Sequence, residues 1–187
     1  MRPTSPDPPH LVLVGLMGVG KSTIGAECGR RLERPFVDID TIIEEQEGTT
    51  VSELFSSRGE STFRDREREV IARVLASTDS QVVAPGGGAV LDPGTRELLR
   101  SQAIVVWLQA PVEVLVHRIG EGANRPLLDD SPADTLHRLE QERDHAYREV
   151  AHVVVSSEHG SVAETTDAVL AAYAATVRQL GEAGCKA

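Results

Sequence analysis

Aromatic side chains are scarce in this chain: Phe, Tyr and Trp make up 3% of its 187 residues. A hydrophobic core must therefore be assembled from Val, Leu, Ile and Ala. Its two cysteines, Cys28 and Cys185, stand far apart with no C-x-x-C spacing, which argues against a disulfide framework or a zinc site. No apolar run approaches the ~18 residues of a membrane span, and no signal peptide is visible. The expectation is a cytoplasmic protein with no membrane partner. Positive charge is in deficit, with 19 Lys and Arg against 29 Asp and Glu and a net charge of −10. That balance argues against nucleic acid as a partner. It also requires any anionic substrate to be held by a local cluster of Arg and Lys, against the average field.

What is present is more telling. Gly15-Leu16-Met17-Gly18-Val19-Gly20-Lys21-Ser22-Thr23 matches G-x-x-x-x-G-K-[ST], directly after the apolar run Leu11-Val12-Leu13-Val14. A strand, a glycine-rich turn and a helix are what phosphate binding needs. Successive backbone N–H groups converge on one anion, and the following helix adds the positive end of its dipole. Lys21 is placed to reach the β- and γ-phosphates, and the Ser22 hydroxyl to ligate Mg²⁺. The chain is expected to bind a nucleoside triphosphate.

Short apolar runs alternate with longer helical patterns, the mark of βαβ units and a parallel sheet. Strands are expected at 11–15, 35–39, 81–85, 103–109 and 152–156, and helices at 21–33, 61–77, 94–101, 111–119, 133–149 and 161–180. One domain over 11–180 accounts for this pattern, with 1–10 a Pro-rich disordered leader and 181–187 a tail. The stretch 120–132 is rich in Gly, Pro and charge with little apolar period, and reads as a mobile lid.

N-K-x-D, expected of a GTPase, is missing, and neither 81–85 nor 103–109 ends in the Asp of a motor-type ATPase. The available acids are Asp38 and Asp40, closing Pro35-Phe36-Val37-Asp38-Ile39-Asp40. Period-2 alternation along a strand would put both side chains on one side, at the sheet edge where ligands of open α/β folds bind. One is suited to orient a Mg²⁺ water and the other to meet a substrate hydroxyl. Gly86-Gly87-Gly88 follows a strand, a costly turn unless something must approach the backbone closely.

Gly15–Thr23, Asp38-Ile39-Asp40, Phe63-Arg64-x-x-Glu67, Gly86-Gly87-Gly88, Asn124-Arg125-Pro126-Leu127-Leu128 and Arg143-x-x-x-Tyr147 together resemble the ordered motif set of shikimate kinases, over about Leu11 to Ala174. The resemblance implies the nucleoside-monophosphate-kinase-like P-loop fold. That is a three-layer α/β/α domain with a five-stranded parallel sheet, a helical substrate-binding segment near 38–66 and a lid. It implies transfer of the γ-phosphoryl of ATP to the 3-hydroxyl of shikimate, with Mg²⁺ as cofactor and ATP, ADP and shikimate as the partners. A kinase of this size is expected to be a monomer.

By the same resemblance, ATP lies on Gly18, Val19, Gly20, Lys21, Ser22 and Thr23. Arg125 closes over the triphosphate and Arg118 stacks near adenine. Ser22, and through water Asp38, hold the metal. Shikimate is bound by Asp40, Arg64, Gly87 and Arg143, the two arginines clamping its carboxylate as a planar guanidinium can. Glu67 steadies Arg64 by an i,i+3 pair. Lys21, Asp40 and Arg125 carry the catalysis. Phe55 and Phe63 either flank the substrate ring or belong to the core.

The chain departs from the family pattern in two places. His145-Ala146 stand where proline and leucine commonly precede the tyrosine, and 157–161 is acidic and without proline. Altered packing is expected at the first, and backbone-mediated adenine contacts at the second. A gluconate or other polyol-acid kinase, or a nucleotide-sensing module, would share the P-loop. The glycine triplet and the Asp38/Asp40 pair favour shikimate.

Overall fold

A computed structural model describes residues 9–120 and 131–184. Five parallel strands, β1 (His10–Val14), β2 (Phe36–Asp38), β3 (Val82–Ala84), β4 (Ala103–Gln109) and β5 (Val153–Ser156), form one sheet in the order β2-β3-β1-β4-β5. The central strand β1 is buried along its whole length, and β4 is buried from Ala103 to Leu108. Such continuous apolar runs are what a sheet covered on both faces demands. Leu11 pairs with Val82 on one side and Ile104 on the other, so the register sets the P-loop between the ends of β3 and β4.

Among the described residues seven helices cover the sheet: α1 (Lys21–Leu32), α2 (Ile39–Glu47), α3 (Val51–Leu75), α4 (Pro93–Gln102), α5 (Val112–Gly120), α6 (Pro132–Val150) and α7 (Val162–Gly184). Helices α1 and α7 pack together over one face, while α3, α4 and α6 pack as a second layer. The core is Val, Leu and Ile joined by the buried aromatics Phe63, Trp107, Tyr147 and Tyr173. Cys28 lies fully inside it, and burial pushes its thiol up to about 12, so it is unreactive.

The three-layer fold and all five strands match the expectation, with edges moved by a few residues. Two helical segments do not. Residues 39–47 form α2, whose N-cap is the Asp38 side chain. Helix α3 begins at Val51, ten residues before the expected 61, and is interrupted at Gly59 (φ 82°, ψ 161°). Its start carries a signal that was there to read, the Thr50-x-x-Glu53 capping box.

β1 begins at His10, inside the expected leader, and α7 runs to Gly184, four residues into the expected tail. Residues 1–8, residues 121–130 with Arg125, which make up most of the lid expected over 120–132, and residues 185–187 lie outside the described residues.

Candidate active site

The P-loop turn needs three glycines at positive φ, Gly15 (141°), Gly18 (78°) and Gly20 (99°), where a residue with a Cβ would be strained. After Gly20 the chain enters α1 at Lys21. The Lys21 ammonium donates to the carbonyls of Gly15 at 2.9 Å and Leu16 at 3.2 Å, which holds it over its own loop. One position on, Ser22 Oγ donates to Asp38 Oδ2 at 2.6 Å.

The other Asp38 oxygen accepts the backbone N–H of Asp40 at 3.1 Å. Asp38 therefore ties the phosphate-loop helix to the start of α2. Asp38 and Asp40 do share one end of the sheet, but not through strand alternation. β2 stops at Asp38, and Asp40 projects from the first turn of α2. The strand argument fails because a cap at Asp38 turns the chain helical before a second alternation is completed.

The acid side of the site is assembled around the three glycines. At Gly86 a Cβ would collide with Glu67 Oε1 and lie 3.1 Å from Asp40 Oδ1. At Gly87 it would meet Arg143 Nη1 at 3.2 Å, the Gly15 carbonyl at 3.2 Å and the Tyr147 hydroxyl at 3.4 Å. At Gly88 it would fall inside the Arg64 guanidinium. One turn thus brings together Asp40 from α2, Arg64 and Glu67 from α3, Arg143 and Tyr147 from α6, and the P-loop backbone. The glycines are required here for space.

Arg64 donates to Glu67 Oε2 at 2.6 Å and to Glu60 near 3.1 Å. Its guanidinium lies 5.1 Å and 5.7 Å from the ring centres of Phe63 and Phe55, which pack on each other. The two phenylalanines are a cation–π platform for Arg64, with Phe63 buried in the core. Arg66 and Arg68 remain half-exposed in surface ion pairs.

Arg143 is only 5% exposed, and among the described residues no carboxylate pairs with it. Burial, then the neighbouring Asp38 charge, raises Asp40 above the usual carboxylate range, against Lys21 and Arg64. Glu67 is raised by burial, with Arg64 opposing. Asp40 Oδ1, Glu67 Oε1 and Arg143 Nε are buried without a hydrogen-bond partner among the described residues. Buried polar atoms left open in this way call for a ligand or water to complete them.

Beyond the P-loop a cleft of about 630 Å³ is lined by Gly18 to Ile24, Arg118, Ile119, Ser157, Gly160 to Val162 and Thr165. Arg118 Nη2 donates to the Ser157 carbonyl at 2.6 Å, which fixes the guanidinium against the loop after β5. Ser157 was not singled out from sequence. Its buried hydroxyl donates to the Val19 carbonyl at 3.1 Å and lies 3.3 Å from that of Gln109, latching the P-loop to the ends of β4 and β5. A lone serine after a strand carries no motif that would reveal this. At the other departure from the family pattern, α6 runs unbroken through exposed His145 and buried Ala146.

A parallel sheet in 2-3-1-4-5 order, with a phosphate loop beside an arginine-lined acid site, defines a P-loop phosphotransferase. The family profile described as shikimate kinase matches residues 17–174. A shikimate kinase of Paracidovorax citrulli is 46% identical over 150 residues, 79% of this chain and 82% of that protein. The shikimate kinase of Acinetobacter baumannii, solved in complex with shikimate, superposes with a TM-score of 0.83 at 38% identity. That match covers 87% of this chain and 90% of the other. A gluconokinase of Sinorhizobium meliloti, at 21% identity and a TM-score of 0.65 over 94% of this chain and 97% of its own, shares the fold. The chain belongs to the shikimate kinase family.

Proposed function

We propose that this chain transfers the γ-phosphoryl of ATP to the 3-hydroxyl of shikimate, giving shikimate 3-phosphate and ADP, in the cleft between the P-loop and the glycine turn. The observation that carries the site assignment is the convergence on Gly86-Gly87-Gly88 of two arginines and two buried acids beside the Gly15 carbonyl.

The substrate carboxylate bridges Arg64 and Arg143, the former aimed by Glu67 and the latter buried and unpaired by any described acid. Asp40 Oδ1 accepts the hydrogen bond of the reacting hydroxyl and takes its proton as transfer proceeds. The triphosphate lies on the N–H groups of 18–23, with the Lys21 ammonium shared between loop carbonyls and phosphate oxygens. Arg118 flanks the base. Phosphoryl transfer passes through a loose transition state, so positioning and charge neutralisation outweigh proton abstraction.

Ser22 Oγ and Asp38 Oδ2, side by side at the P-loop, are hard oxygen donors that suit Mg²⁺. These residues would hold the ion, Asp38 through water, and the ion would supply charge neutralisation at the phosphates. No helix among the described residues is long and apolar enough to cross a membrane. The reading takes the protein as a cytoplasmic monomer.

A coupled ADP-release assay with shikimate and gluconate as alternative acceptors tests the assignment. Turnover is expected with shikimate at a kcat/KM at least 10²-fold above gluconate, because a site built to hydrogen-bond one set of hydroxyls leaves buried groups unpaired with another. Equal turnover with both acids would refute it.

A further inference from the structure

We propose that Tyr147 is a positioning residue for substrate binding, its hydroxyl setting the Arg143 guanidinium and the glycine turn together. The inference rests on the site reading above and adds a residue to it.

Tyr147 is 1% exposed, and its Oη donates to the Gly87 carbonyl at 2.6 Å. A phenol has a single proton to give, so with that proton spent on Gly87 its oxygen is left to accept, and Arg143, whose Nη1 stands with that oxygen against the same glycine, is the cation it faces. Burial pushes the phenol up to about 12, which keeps it a donor throughout the working pH range and removes it from acid–base chemistry. Arg64 has carboxylates on two sides to aim it; Arg143, lacking any among the described residues, is aimed by this hydroxyl.

The effect on the turn follows from peptide geometry. In a planar trans peptide the C=O and the next N–H point in opposite directions. Pinning the Gly87 carbonyl toward α6 therefore fixes the Gly88 N–H on the side away from α6. The tyrosine ring is placed independently of its hydroxyl. It stacks on Trp107 of β4, the only tryptophan of the chain, with ring centres 5.4 Å apart at 27°, and the Arg148 guanidinium lies over that indole, 5.5 Å from its centre. Ring and hydroxyl thus separate experimentally, since Tyr147→Phe keeps the stack and removes only the hydroxyl.

The test compares Tyr147→Phe with the parent chain by steady-state kinetics and thermal melting. KM for shikimate is expected to rise about tenfold, equivalent to 1.4 kcal/mol, with kcat changed several-fold less, KM for ATP within twofold and Tm within a few degrees. In an Arg143→Lys background, Tyr147→Phe should add little, because the two changes remove one shared contact.

An unchanged shikimate KM overturns the proposal, as does a full additive effect in the Arg143→Lys background. A collapse of folding, or equal rises in both KM values, assigns Tyr147 to structure alone and also overturns it. Failure of the functional reading itself looks different: the parent chain would then show no turnover with shikimate.

Discussion

Gly88→Ala perturbs the proposed acid site with little else in its path. The backbone at Gly88 (φ −94°, ψ −5°) is open to alanine, so the substitution carries little conformational penalty of its own. The new methyl, however, would occupy the space of the Arg64 guanidinium, overlapping its central carbon and both terminal nitrogens. The guanidinium is the free end of a long side chain and retreats. In doing so it leaves its 2.6 Å contact with Glu67 and its proposed place beside the substrate carboxylate.

A hydrogen bond to a charged group contributes about 1.5–3 kcal/mol, so KM for shikimate should rise roughly 10- to 150-fold at 1.4 kcal/mol per tenfold. KM for ATP should stay within about twofold, because the Gly88 methyl meets the Arg64 guanidinium first, whereas the glycine beside the Gly15 carbonyl of the P-loop is Gly87. Steady-state ADP release, with each substrate varied while the other saturates, reads both constants. Gly181→Ala serves as control, since a methyl at that exposed helical position meets nothing within 4 Å. The decisive arm is the double variant with Arg64→Ala. With the guanidinium gone the methyl has nothing to displace, and its further effect should be near zero. An unchanged KM in Gly88→Ala, or a full penalty persisting in the double variant, refutes the reasoning.

Three further outcomes are expected. Lys21→Ala should lower kcat on the order of 10²–10³-fold while the fold persists, by the usual cost of deleting one preorganised charge contact to a transition state; near-native kcat would remove Lys21 from catalysis. Asp40→Asn should abolish most turnover and yet melt higher than the parent near pH 8. The folded chain holds the Asp40 proton more tightly than the unfolded one does, so that contribution to stability is whole below the ordinary Asp pKa of about 3.9 and lost as pH rises through the raised value. The gap in Tm should therefore close toward pH 4, and a gap that is constant with pH would contradict the assignment. Ser157→Ala removes the hydroxyl that joins Val19 to the end of β4; KM for ATP should rise severalfold with KM for shikimate unmoved, as titration of each substrate will read out.

The P-loop was legible because its function is written in a contiguous run. A strand, three glycines, a lysine and a serine must be adjacent in sequence to be adjacent in space. The acid site was legible only in pieces. Arg64 and Glu67 pair across one helical turn, which spacing alone suggests. Nothing in spacing joins them to Arg143, some eighty residues away, and the motif resemblance supplied that link. The glycine triplet signalled close approach, but not that each glycine is reserved for a different neighbour. Helix α2 was missed because a pair of aspartates after β-branched residues reads as a strand end, whereas the Asp38 side chain caps a helix. The roles of Ser157 and Tyr147 depend on tertiary contacts with backbone carbonyls, which no sequence pattern encodes.

An acidic chain that binds anionic substrates poses an electrostatic problem that burial resolves. The net charge of −10 is the sum of groups mostly on the surface, where pairs such as Arg66–Glu69 and Arg148–Asp144 face solvent and salt screens interactions beyond about 10 Å. Within the site the balance is reversed. Arg143 is buried, Arg64 is four-fifths covered, and Lys21 is turned over the loop. Their fields reach a bound anion through poorly screened, low-dielectric surroundings. The acids among them, Asp40 and Glu67, are held above the ordinary carboxylate range by the same burial, which weakens their opposition to the substrate's charge. Local desolvation therefore governs affinity here, while the global charge is left to set solubility and encounter rates.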